Sequence, residues 1–202
     1  MGEGRLTPGL AFFAAGLGLL GVSAAIEAYL VLGGGVESGV VGGDLTRLIL
    51  VPWAMGLVFF GYAYDRPEVL WDRARGRRVL ATYALFADGG VHMLAIGEHI
   101  DLPVAALFFL ILSPLQFVSA WLLIRGPPVY LRAWLVGGLG LIALYAASRL
   151  TALPFVEAHY RVEPLGIVSK GIEIVLVAAI LGELLSTHRA ARRPATRPAA
   201  QT

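Results

Sequence analysis

The sequence predicts an all-α integral membrane protein, a bundle of six transmembrane helices. Three observations carry that expectation. Hydrophobic residues fill 57% of the 202 positions and charged residues 15%, against about 25% charged in a soluble domain. Six mostly apolar stretches reach the roughly 20 residues a helix needs to cross the hydrocarbon core. The Lys and Arg residues between those stretches fall mostly on one side.

The spans read as residues 10–32, 45–64, 79–100, 102–124, 129–150 and 164–185, one transmembrane domain over residues 1–188. The first carries Glu27 as its only charge, and it is too long and lacks the small-residue cleavage site of a signal peptide. The loop Gly33–Gly43 is glycine-rich with Glu37 as its only charge, a flexible outer turn. The second span holds Arg47. A basic inner loop, Asp65–Arg78, leads to the third span, which is divided from the fourth only around Asp101 and Pro103. Gly126, Pro127 and Pro128 make a rigid inner turn before the fifth. Thr151–Glu163 is the most polar outer segment and holds His159. The tail 189–202 is basic and rich in Pro and Ala, and reads as disordered at the inner leaflet.

With the N-terminus inside, the inner side collects twelve Lys and Arg and the outer side four. Both termini are therefore expected in the cytoplasm, in a membrane that reads as the prokaryotic cell membrane. The chain has no cysteine, which removes disulfides, thiolate metal sites and Fe–S clusters. The lipid bilayer is the expected partner, other membrane subunits are candidates, and nothing points to nucleic acid.

The third span, VLATYALFADGGVHMLAIGEHI, is where chemistry concentrates. Ionisable groups inside a spanning helix are costly and by default mark a functional site. Asp88 lies nine residues from the inner start of this span, and Glu173 nine residues from the outer start of the sixth. At about 1.5 Å rise per residue both sit near the midplane. His92, Glu98, His99, Glu27, Arg149, Lys170 and His159 fall in the outer half, whereas Gln116 lies deeper in the fourth span, just after Pro114. The simplest geometry is a pocket open outward and closed toward the cytoplasm.

Two sets of roles emerge. Asp88, His92, Glu98, His99 and His159 are of the types that ligate metals, and His92 and His99 could hold a cofactor such as haem. Asp88 and His92 are four apart on one face. His92 and His99 are roughly 10 Å apart along the axis, too far to clasp one ion. Alternatively, Asp88 and Glu173 form a proton or ion path with Lys170, Gln116, Arg149 and Glu27. Two close carboxylates in a low dielectric do not both ionise, so one proton would be shared. The structural reading of the same residues is that His92 hydrogen-bonds Asp88 and that Lys170 neutralises Glu173 at i,i+3. Glycines at 16, 18, 89, 90, 137, 138 and 140 are read as helix-packing positions, and the four Trp as interfacial.

The stretch from His92 to Glu173 resembles an uncharacterised family of polytopic membrane proteins of GC-rich bacteria. The resemblance rests on His92, Glu98 and His99, then Gln116. It continues with Ser148 and Arg149, Leu153, Pro154 and Phe155, the turn Glu163–Gly166, and Glu173. It covers the last four helices and implies a bundle with these site positions. Lys170 stands where an acidic residue is expected.

The function expected from the sequence is a polar, outward-facing intramembrane site. It would bind a transition metal or haem, or transfer protons or ions, beside a membrane redox or transport process. The alternative is a non-catalytic accessory subunit of a larger membrane complex, its buried charges only satisfying one another. An enzyme acting on lipid ranks last, since no nucleophile–base pair or serine elbow is present.

Overall fold

The computed structural model describes residues 7–32, 41–99, 102–151 and 164–191. Among them every long element is a helix: α1 (Pro8–Leu32), α2 (Val41–Asp65), α4 (Arg73–Glu98), α5 (Pro103–Arg125), α6 (Pro128–Leu150) and α7 (Pro164–Ala191), with a single turn, α3 (Glu68–Trp71), before α4. The six expected spans map onto the six long helices. Four of them, α4 to α7, are long and apolar enough to cross a membrane. The helices α1 and α2 run 25 residues each, and α1 is apolar over Pro8–Ser23.

Two boundaries differ from expectation. The basic stretch before the third span is largely helical, so α4 begins at Arg73 instead of emerging from a loop. Arginine is a good helix former, and the Asp72 side chain accepts a hydrogen bond from the Arg75 backbone N–H (3.2 Å), closing the first turn. Likewise α7 continues through Arg189 to Ala191, three residues into the expected tail. The loop that holds His159 and Glu163 lies outside the described residues, and Pro164–Gly166, expected as a turn, are the first residues of α7.

The centre is α4. It packs on α5 and α7 along its length and also touches α1 and α2. Its sequence explains this position. Ala81, Ala84, Ala87 and Ala95 are buried, as are Gly89 and Gly90. Small residues let neighbouring backbones come close where no hydrophobic drive separates helix from lipid. At Gly89 an added Cβ would lie 3.2 Å from the Gln116 Cβ, so α5 crosses α4 there at close range. By contrast, α6 packs chiefly on α7 and scarcely touches α5. The order α5–α4–α7–α6 is thus a U with α5 and α6 as its arms.

Two apolar clusters fill the bundle. One, with Leu85, Leu123, Leu176 and Ile180 wholly buried, occupies the half holding the N-terminal part of α4. The other, with Met55, Val91, Leu94 and Leu165, lies toward the C-terminal end of α4 and includes α1 and α2. Trp134 belongs to the first cluster, so it is a core residue and not an interfacial one. Trp53, Trp71 and Trp121 are exposed, but Trp53 stands at the middle of α2 and not near a helix end. Gly18 and Gly140 face open space and pack against nothing among the described residues. Pro114 lies on the exposed face of an uninterrupted α5.

The end rich in arginine is latched by side chains. Arg77 pairs with Glu183 of α7 (3.5 Å). Arg78 donates from Nε to the Leu123 carbonyl (2.8 Å) and from its terminal nitrogen to the Gly126 carbonyl. Those carbonyls end α5 and have no further helical turn to bond them. Hydrogen bonds to charged groups contribute about 1.5–3 kcal/mol. Arg78→Met is therefore expected to destabilise the purified protein by about 2 kcal/mol, measured by denaturant titration in detergent micelles, while Arg75→Met, whose partner Glu68 is exposed, stays within about 0.5 kcal/mol.

Candidate functional site: a buried carboxylate–imidazole cluster

Asp88, His92, Gln116, Ser169 and Glu173 meet between α4, α5 and α7, and all are buried. The α-helical repeat places Asp88 and His92 on one face of α4, and Ser169 and Glu173 on one face of α7. Close approach at Gly89 then brings Gln116 of α5 between the first two.

The hydrogen bonds order the group. Gln116 donates from Nε2 to Asp88 Oδ2 (2.6 Å), which turns its Oε1 toward His92 Nδ1 (2.8 Å). An amide oxygen only accepts, so Nδ1 carries the proton in this arrangement. In a neutral ring Nε2 is then a bare lone pair. Nε2 looks toward Glu173 Oε1 (3.9 Å) and the Ser169 hydroxyl (3.3 Å). Ser169 donates to Asp88 Oδ1 (2.9 Å), so its proton is already engaged. Lys170 donates to Glu173 Oε1 from the same helix face, and Glu173 Oε2 is buried with no hydrogen-bond partner among the described residues. The direct His92–Asp88 bond expected from the i,i+4 spacing is replaced by the Gln116 bridge, because the two side chains stand 3.6 Å apart.

Asp88, His92 and Glu173 each offer a ligand atom, and these atoms lie within 4.8 Å of one another. On the arginine-rich side Leu85, Leu123, Leu176 and Ile180, each wholly buried, close the cluster off. On the other side a cavity of about 250 Å³ opens, with His92, Ser169 and Lys170 in its lining. It sits among the C-terminal ends of α4 and α6 and the N-terminal ends of α5 and α7, in the gap between the arms of the U.

The other residues singled out in the sequence are placed less centrally. Glu98 and His99 line the cavity with Arg149, away from the cluster. His99 Nδ1 bonds the Ala95 carbonyl of its own helix (2.9 Å), and its ring lies against Phe109, as does that of His92. The guanidinium of Arg149 lies over the Tyr145 ring. With Nδ1 of His92 on Gln116 and Nδ1 of His99 on its own turn, Nε2 is the nitrogen of each ring left to ligate or to exchange a proton. His159 lies outside the described residues, as does the side chain of Glu27.

Ser169 and Tyr145 escape a reading by charge because neither is charged. A signal for both was present: Ser169 lies four residues before Glu173, and Tyr145 stands three and four residues before Ser148 and Arg149. Each shares a helix face with a polar neighbour.

Comparison with protein-family models, with curated proteins and with solved structures finds no match to this chain. A functional reading therefore rests on the geometry of the site alone.

Proposed function

We propose that this chain is an integral membrane protein of six spanning helices with both termini in the cytoplasm, and that its buried cluster takes up and releases a proton through the cavity on the outer side. Charge and geometry support this reading. The two carboxylates bring two negative charges and Lys170 one positive charge. One surplus charge remains in a place where hydrocarbon and side chains replace water. One proton balances it. The observation that carries the proposal is the placement of His92 Nε2, a lone pair when the ring is neutral, opposite Glu173 with Nδ1 already committed to Gln116. A proton can rest on either group. The lining of the cavity by His92 gives it a way out, and the apolar plug on the arginine-rich side denies it another.

A second reading is a metal centre, favoured by the three convergent ligand atoms of Asp88, His92 and Glu173. One imidazole and two carboxylates suit a first-row divalent ion. The ammonium of Lys170 on Glu173 opposes it, since it would have to leave or lose its proton. Elemental analysis of purified protein separates the readings: a stoichiometric ion lost in His92→Ala supports the metal.

The proton reading is tested by infrared difference spectroscopy across a pH titration. A carboxylic-acid C=O stretch is expected that disappears in Glu173→Gln or Asp88→Asn. A spectrum in which neither substitution removes such a band contradicts it.

A further inference from the structure

We propose that the cavity between α5 and α6 binds the ring of a membrane-soluble quinone, with the isoprenoid tail leaving sideways between the two helices. This rests on the membrane reading above and supplies a ligand for the space beside the cluster.

The shape of the bundle is the first argument. Since α5 and α6 scarcely touch, the cavity lies in the gap between them, and a lateral mouth there would face lipid in a membrane. A ligand that arrives from the bilayer and keeps its tail there needs such a lateral mouth. The walls are Phe108, Phe109, Leu141 and Leu144, apolar and partly aromatic, which suits a flat ring. A volume of about 250 Å³ falls just under the roughly 300–1,000 Å³ of drug-sized sites. It holds a single ring head.

The polar groups narrow the class. The Tyr145 hydroxyl is buried without a hydrogen-bond partner among the described residues, and Tyr145 lines the cavity. A buried hydroxyl left unpaired costs about 1–3 kcal/mol, so a small turn of the side chain toward a ligand acceptor in the cavity would be favoured. Lys170 stands by the same ring, with its ammonium 5.3 Å from the ring centre. Its charge is balanced by Glu173, and the other charged lining residues, Arg149 and Glu98, are of opposite sign, so the site asks for an uncharged acceptor. Beside these donors sits the His92 imidazole, able to give or accept a proton. A carbonyl that becomes a hydroxyl on reduction is the head group that suits donors and a proton acceptor at one place.

The test uses the full chain in detergent, titrated calorimetrically with a decyl-substituted benzoquinone. Saturable one-to-one binding is expected. Ala105→Trp, which fills the cavity, should weaken it at least about twentyfold, with the melting temperature as the control for folding. Tyr145→Phe keeps the shape and should weaken it roughly two- to tenfold, so the idea stays testable if the tryptophan variant does not fold. Binding that is absent, that ignores both substitutions, or that is displaced by equal phosphatidylglycerol overturns the proposal. The infrared band and quinone binding are read separately. Loss of quinone binding with the band intact ends this inference alone, and a missing band with binding intact ends the proton reading alone.

Discussion

Asp88→Ala is expected to be among the most damaging single substitutions in this protein, destabilising it by about 3 kcal/mol. Asp88 is wholly buried and accepts from Gln116 and Ser169. Truncation leaves Gln116 Nε2 without its acceptor and Ser169 with only its longer contact to Glu173 Oε1 (3.4 Å), and a buried group left unpaired costs about 1–3 kcal/mol. It also withdraws the group that fixes the Gln116 amide, so His92 Nδ1 loses a defined partner. Asp88→Asn keeps an acceptor for Ser169 and should cost about half as much on the same reasoning. Denaturant titration in mixed micelles, followed by circular dichroism, measures both. Equal stability of wild type and Asp88→Ala would mean that the network adds nothing to the joining of α4, α5 and α7.

Gly16→Leu is the second large effect, and it acts at the other edge of the bundle. A Cβ at Gly16 would lie 2.5 Å from the Ala54 carbonyl oxygen and 2.8 Å from the Val58 backbone nitrogen. The obstacle is backbone on α2, which cannot turn aside as a side chain can. Overpacking of this kind costs typically about 1–3 kcal/mol, occasionally more, and a rigid obstacle puts this case at the upper end. The expected result is separation of α1 from α2, seen as new protease cleavage near α1 and a lower melting temperature. Gly18→Leu, on the open face of the same helix, is the matched control and should change neither.

The helical plan was legible in the sequence because apolar length and the side on which arginines fall are one-dimensional quantities. The shared level of two residues was legible for the same reason: equal residue counts from opposite ends of two spans put Asp88 and Glu173 side by side, and the structure brings them together. What the sequence does not carry is the azimuth of one helix against another. That depends on which small residues meet, and it decided that Gln116 would stand between Asp88 and His92 and that Ser169 would join them. The same limit explains Trp134, whose position near a helix start suggested an interface although its side chain is buried in an apolar cluster. The glycines show it most plainly. Gly16 and Gly18 look alike in sequence, yet one touches a backbone and the other touches nothing among the described residues.

The absence of cysteine makes the central claim directly measurable. Ser169 lies where the cluster meets the cavity, so Ser169→Cys reports which side of a membrane reaches it. The thiol of Ser169→Cys should react with a small, charged, membrane-impermeant reagent added outside intact cells, and should be protected from the same reagent in inside-out vesicles. Labelling only from the cytoplasmic face would contradict an outward-opening site.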